Sequence, residues 1–394
     1  MGTTLDKIRP AIRFGVFRVA DQSYTDFLLR QWAAACRGLG VAGPDVERVA
    51  VDIRDVLSPW GSRPIGTTAG PAPSFVSADG FPAEMSLSWR GINPEIRLLW
   101  ESLGSEPTAR SNQEAGQALT RRLADKPGVS ISRYLRVEDL FVTPNPATYR
   151  PTVWHALAWR PGNHPQRLEY KVYLNPQVHG VEHAPEVIGE AMRRLDLSVP
   201  WRSVGRRVRE LAERGHEIEF FALDLADATS KPRVKVYFRH DEMPAAELDT
   251  VAALARRHDS GRAERARRIV YGDTRTITNE PMTCLAFRHG TPAPEEANLY
   301  LRLPDNTRSD AEARDRVTRL MRVEGIDPGP YQRCLDLLAP APLANTTGLQ
   351  ELLSYRTIDR GPADLGLYLR FSTYDHEATV GEARGDDVTE QHHR

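Results

Sequence analysis

Cysteine is scarce: Cys36, Cys284 and Cys334 lie far apart in 394 residues, too few and of the wrong parity for a disulfide framework. They fit a reducing compartment, each as a small buried hydrophobe. Long apolar runs are missing too, since no stretch approaches the roughly 18 uncharged apolar residues of a membrane-spanning helix. The opening MGTTLDKIRPAIRF has no apolar segment of the signal-peptide kind, so a cytoplasmic location without a membrane partner is expected. Neither sign of charge dominates. Lys+Arg number 52 and Asp+Glu 53, a formal net charge of −1, so no global field recruits nucleic acid and any positive site is local.

What the chain has is a repeat. Helical periodicity falls at 24–39, 45–57, 111–124, 183–195, 202–214, 245–257, 310–323 and 329–338, with shorter pieces at 137–141 and 263–270. After each helical pair comes an extended pair: 83–89 with 96–101, 153–160 with 168–174, 218–225 with 234–239, 283–288 with 298–303, and 352–358 with 367–374. The order ααββ occurs five times. With Arg97, Lys171, Lys235, Tyr300 and Tyr368 marking each second strand, the steps are 74, 64, 65 and 68 residues. A period this regular implies one α+β architecture over residues 1–394, with a polar, frayed tail from about residue 382. Ten hairpin-linked strands make a large antiparallel sheet, and closing it into a ten-stranded barrel ringed by helices removes its exposed edges.

The strands also carry an inverted pattern. Side chains alternate faces with period two, so Arg97, Lys171, Tyr173, Arg233, Lys235, Tyr237, Asn298, Tyr300, Arg302, Tyr368 and Arg370 can share one face, with aliphatic residues on the other. In a closed barrel that polar face is the lumen, and ten strands leave room there for a ligand. Cation and phenol recur two residues apart in Lys171-x-Tyr173 and Arg233-x-Lys235-x-Tyr237. Converging cations suit a polyanion such as diphosphate, and tyrosine rings can shield a carbocation through their quadrupoles.

These residues resemble a known family. Lys171-Val172-Tyr173-Leu174-Asn175-Pro176, Arg233-Val234-Lys235-Val236-Tyr237, and Pro82-Ala83-Glu84 followed by Arg97 are similar to the dimethylallyltryptophan synthase family of aromatic prenyltransferases, its bacterial members in particular. The resemblance runs from about Phe75 to Tyr374, across all five repeats. It implies the closed ten-stranded barrel reached above. It also implies transfer of an allylic group, usually dimethylallyl with geranyl as the other donor to test, from its diphosphate to the indole of tryptophan or a tryptophan-derived metabolite. This is a reaction of secondary metabolism that requires no metal and no cofactor. Carried over, it makes Arg97, Lys171, Tyr173, Arg233, Lys235, Tyr237, Tyr300 and Tyr368 ligands of the diphosphate or shields of the cation, and Glu84 the carboxylate that accepts the indole N–H. A buried carboxylate there enriches the indole's electron density as the ring attacks.

The sequence departs from the fungal pattern of that family in two places. Where those enzymes carry a lysine, the nearest match is Arg160, a poor general base because it stays protonated, so it adds positive charge instead. Asn298 stands where glutamine is common. No residue is identified as an anchor for the amino acid's carboxylate, and Glu84, water and diphosphate remain open as acceptors of the ring proton.

Three other motifs have simpler readings. Gly38-x-Gly40-x-x-Gly43 follows a helix, where a dinucleotide fingerprint would follow a strand. His179-x-x-Glu182-His183 is interrupted by Gly180 and followed by Pro185, a loop entering a helix in place of a zinc site. The acidic run Asp386-Asp387-Val388-Thr389-Glu390 lies in the polar tail, away from the packed surroundings a metal needs. Two alternatives accompany the leading reading: a non-catalytic barrel that binds an anionic aromatic ligand, and the same fold prenylating a phenolic acceptor.

Overall fold

The structure is a computed structural model and describes residues 13–147, 150–162, 168–227, 231–277 and 280–374. The acidic run at 386–390 and the tail expected from 382 lie outside the described residues.

Ten strands form one closed antiparallel barrel: β1 Ala83–Arg90, β2 Asn93–Glu101, β3 Val153–Trp159, β4 Glu169–Leu174, β5 Glu217–Asp224, β6 Val234–Arg239, β7 Met282–Phe287, β8 Glu296–Arg302, β9 Gln350–Arg356 and β10 Asp364–Arg370. Each strand pairs with its neighbours in the chain, and β10 closes on β1 through Leu367 opposite Leu87. Closure follows from the repeat, because no strand is left to template a foreign edge. Two-residue pairings, Arg13–Phe14 with Thr346–Thr347 and Met243–Pro244 with Thr276–Ile277, lie outside the barrel.

The helices are α1 Tyr24–Leu39, α2 Pro44–Leu57, α3 Ala109–Leu123, α4 Ser132–Leu135, α5 Ala184–Arg194, α6 Ser198–Glu213, α7 Ala245–Ala252, α8 Ser260–Tyr271, α9 Asp310–Val323 and α10 Gly329–Leu338. Ser23, Thr108, Asp259 and Ser309 cap helix N-termini by accepting backbone N–H bonds. The outward strand residues, such as Leu98, Val172, Val236, Leu299 and Leu367, are buried with the helices' apolar faces in one continuous core. The helical layer closes on itself where α10 packs against α1. Gly38 permits that contact, since a Cβ there would stand 2.5 Å from the Cys334 sulfur and 2.6 Å from its Cα. All three cysteines are free and buried.

Two elements differ from the periodic reading. The helix expected over 245–257 stops at Ala252, and the N–H groups of Arg256 and Arg257 bond instead the carbonyls of Pro294 and Glu295 in the strand hairpin of the same repeat. The piece expected at 137–141 is a 3-10 turn, Glu138–Leu140, preceded by the short α4, which periodicity over one turn does not signal.

Candidate active site

Residues directly opposite in a ladder share a face, so the register gives the contents of the lumen. Glu84 stands opposite Leu99 and Arg370, and Arg97 opposite Ser86 and Ala158. Lys171 faces Ala156 and Asp224, Lys235 faces Ala222 and Ala286, and Tyr237 faces Phe220 and Cys284. Tyr300 pairs with Met282 and Ser354, Asn298 with Cys284, and Tyr368 with Ser86. The lumen therefore gathers the expected strand residues, while Arg160 sits one residue beyond β3 at the rim. Small neighbours make the space. At Gly366 a Cβ would come within 2.5 Å of Ser354 Oγ, so the lumen wall there has no room for a side chain.

The lumen has three levels. At the mouth, Arg97, Lys171, Arg233 and Lys235 converge with Arg90, Arg356 and Asn298 on one recess. Carboxylates stand behind them. Glu95, with no exposed side-chain surface, pairs with Arg97, with Arg90 at 3.1 Å and with Arg160 at 2.7 Å. Asp224 lies 3.5 Å from Lys171 and 2.9 Å from Arg233, and Glu296 and Asp364 both pair with Arg356. Arg160 also pairs with Glu169. Burial opposes charge on Glu95, yet the guanidinium groups of Arg97, Arg90 and Arg160 hold its carboxyl below the usual range. Lys235 is different. Among the described residues no carboxylate is in ion-pair contact with it, and burial, with Arg233, Arg356 and Arg97 nearby, brings its ammonium down to about 8.

Below the mouth runs a belt of four tyrosines, with ring centroids 5.9 Å apart for Tyr173 and Tyr237, 5.8 Å for Tyr237 and Tyr300, and 6.0 Å for Tyr300 and Tyr368. With Ala222, Cys284, Leu352, Phe220 and Met282 they form an apolar cluster separate from the outer core. The Lys235 ammonium lies 6.0 Å above the Tyr237 ring, so cations and rings adjoin. Burial pushes all four phenols up, and they remain neutral hydrogen-bond donors.

Glu84 belongs to the far end. Burial and the neighbouring Glu351 carboxylate, against the pull of Arg302, raise its proton affinity to about 8. Arg302 bonds Glu351 at 2.5 Å, Arg370 pairs with Glu351 at 3.2 Å, and the Arg370 guanidinium lies 4.9 Å above the Phe14 ring. Strand alternation alone groups Arg302 and Arg370 with the other lumen cations. Their contacts separate them, since Arg370 stands opposite Glu84 and Arg302 shares Glu351 with Arg370 and acts on Glu84 through its charge, while neither lines the recess at the mouth. On the belt side, the Trp154 and Phe220 rings stand 4.7 Å apart, tilted by 43°, with Trp154 opposite Tyr173 and Phe220 opposite Tyr237.

The chain matches the family model for tryptophan dimethylallyltransferase over residues 56–331. The chain belongs to that family. It is accordingly an indole prenyltransferase, and solved structures of similar proteins share its barrel. A 6-dimethylallyltryptophan synthase from Micromonospora olivasterospora, solved in complex with DMASPP and Trp, is 30% identical, with 89% of this chain and 97% of that one covered and a TM-score of 0.78. A 5-dimethylallyl tryptophan synthase from Streptomyces coelicolor, also in complex with DMASPP and Trp, is 27% identical over 89% and 96%, with a TM-score of 0.75. The prenyltransferase PriB, as a ternary complex with L-tryptophan and dimethylallyl thiolodiphosphate, is 26% identical over 90% and 97%, with a TM-score of 0.77.

The prenyltransferase has a mouth richer than the residue set expected from its sequence. Arg90, Arg356 and the carboxylates Glu95, Asp224, Glu296 and Asp364 lie outside that set. Their signal is nonetheless in the alternation: Glu95-x-Arg97, Glu169-x-Lys171 and Glu296-x-Asn298 each set an acid two residues before a lumen residue. Gly40 has left-handed backbone at the end of α1, so the glycine motif is a helix cap. His183 precedes α5 in a short 3-10 turn and pairs with Glu186 at the surface. Among the described residues, no group of three or more His, Cys, Asp or Glu is arranged to hold a metal, and no helix is long and apolar enough to cross a membrane.

Proposed function

We propose that this family member transfers a dimethylallyl group from dimethylallyl diphosphate to the indole ring of tryptophan or a close derivative, without a metal, and that residues 1–394 act as one barrel unit. The observation that carries this reading is the polarity of the lumen: cations at one end, a proton-holding carboxylate at the other, and aromatic rings between. The relatives solved with DMASPP and Trp support the pairing of donor and acceptor.

Arg97, Lys171, Arg233 and Lys235 take the diphosphate, with Asn298 beside them and Arg160 adding positive charge from the rim. Their charges do the work a divalent cation does elsewhere, stabilising the negative charge that develops on the leaving group. As the allylic C–O bond breaks, its electron pair leaves with the diphosphate. Tyr173, Tyr237, Tyr300 and Tyr368 then present ring faces to the allylic cation and exclude water from it. A ring carbon of the indole attacks, a C–C bond forms, and the ring proton passes to the released diphosphate, water or Glu84 to restore aromaticity. Glu84 accepts the indole N–H, and its ionised form strengthens the ring as a nucleophile. A barrel that only bound an anionic aromatic ligand would gain nothing from that carboxylate.

The test is an incubation of the full chain in EDTA with dimethylallyl or geranyl diphosphate against tryptophan, capped tryptophan and simple phenols, read by mass spectrometry. Prenylated tryptophan from dimethylallyl diphosphate is the expected product. Product only with phenols, or only after magnesium is added, would overturn the assignment.

A further inference from the structure

The mouth contains more negative charge than an anion cradle needs. Asp224, at the end of β5, accepts hydrogen bonds from the Arg233 backbone N–H at 3.0 Å and from Arg233 Nε at 2.9 Å, and lies 3.5 Å from Lys171. Glu296, opening β8, reaches Arg233 at 3.8 Å and pairs with Arg356. Burial works against charge on Asp224, but Arg233 and Lys171 hold it ionised. Thus two of the four cations assigned to the donor share one carboxylate before any ligand arrives.

Such a carboxylate weakens the first step, donor binding, and suits a later one. When the C–O bond breaks, the leaving diphosphate gains negative charge relative to the esterified donor. Unopposed cations would therefore bind the product more tightly than the substrate, and release would limit turnover. We propose that Asp224, seconded by Glu296, is a positioning residue that offsets the field of the mouth and lets inorganic diphosphate leave after each cycle.

This inference rests on the mouth being the diphosphate site, and the experiment separates the two. Inhibition by inorganic diphosphate is measured against dimethylallyl diphosphate for the native chain, for Asp224→Asn and for Asp224→Glu. Native inhibition competitive with the donor is expected, and its absence would remove the diphosphate reading itself. With that in hand, Asp224→Asn should tighten diphosphate inhibition at least tenfold and lower kcat without raising the donor KM, and Asp224→Glu should restore both. A merely structural role predicts the opposite, a loosened cradle with weaker inhibition and a raised KM. Unchanged or weaker inhibition in Asp224→Asn therefore overturns the proposal. Glu296→Gln, on another strand, should shift inhibition the same way by a smaller factor. It decides the question if Asp224→Asn does not fold, and unchanged or weaker inhibition there is equally fatal.

Discussion

Replacing Glu84 by glutamine removes one titrating charge from the far end of the lumen and keeps the side chain's shape. Two effects follow, and they point in opposite directions. In the proposed mechanism the ionised carboxylate accepts the indole N–H, and deleting one such preorganised electrostatic contact costs about 100- to 1000-fold in kcat. Stability responds the other way. The carboxyl keeps its proton to about 8 in the fold against its ordinary 4.5, so the fold gains from the protonated form. That gain is complete below about pH 4.5 and is lost as pH rises through 8, at up to about 1.4 kcal/mol per pH unit. Glutamine does not titrate. The variant should therefore match the native protein near pH 5 and exceed it near pH 8 by roughly 2–4 kcal/mol, allowing for partial screening by water in the lumen. Denaturation of both proteins at several pH values, beside single-turnover rates, reads the two effects in parallel. A stability gap flat from pH 5 to 8, or a kcat within about threefold of native, would refute the reasoning.

Other outcomes follow from the same site. In the ligand-free protein Glu84 carries charge only above about 8 and Lys235 only below about 8, so kcat/KM should peak near pH 8 and fall about tenfold per unit on the acid side. Lys235→Arg stays cationic and should widen the alkaline side, whereas a flat native profile from pH 6 to 9 would contradict these assignments. Tyr237→Leu removes one of the two inner rings of the belt and, at about 2 kcal/mol for a desolvated cation–π contact, should slow chemistry about 30-fold. Tyr237→Phe keeps the ring and should stay within about fivefold, and equal losses in the two variants would move the role from the ring to the hydroxyl. Gly38→Ala forces a methyl into Cys334 where α1 meets α10, costing about 1–3 kcal/mol and visible as a lower melting temperature with kcat unchanged.

Much of this site is legible in the sequence because a strand has only two faces. Lys171-x-Tyr173 and Arg233-x-Lys235-x-Tyr237 must point one way, and a fivefold repeat makes that way the inside of a barrel. Depth along the barrel axis is another matter. It depends on how far each strand is staggered against the next, which is why Arg302 and Arg370 share the alternation of Arg97 yet meet Glu84, Arg370 across the ladder and Arg302 through Glu351. The counter-carboxylates leave only a weak trace, an acid two residues before a lumen residue, because Glu95, Glu296 and Asp364 sit in the first few residues of strands, where an acid also reads as an ordinary solvated end. The early stop of α7 is likewise invisible locally, since the carbonyls that capture Arg256 and Arg257 belong to a segment about 40 residues on.

The central claim is that donor and acceptor occupy opposite ends of one lumen. A crystal structure of the protein with a non-reacting thiolodiphosphate analogue of the donor and tryptophan tests it most directly. The account predicts diphosphate oxygens bonded to Arg97, Lys171, Arg233 and Lys235, the allyl chain among the tyrosine rings, and the indole nitrogen within hydrogen-bond distance of Glu84. Diphosphate held by Arg302 and Arg370, or Glu84 turned to any group other than the indole N–H, would contradict it.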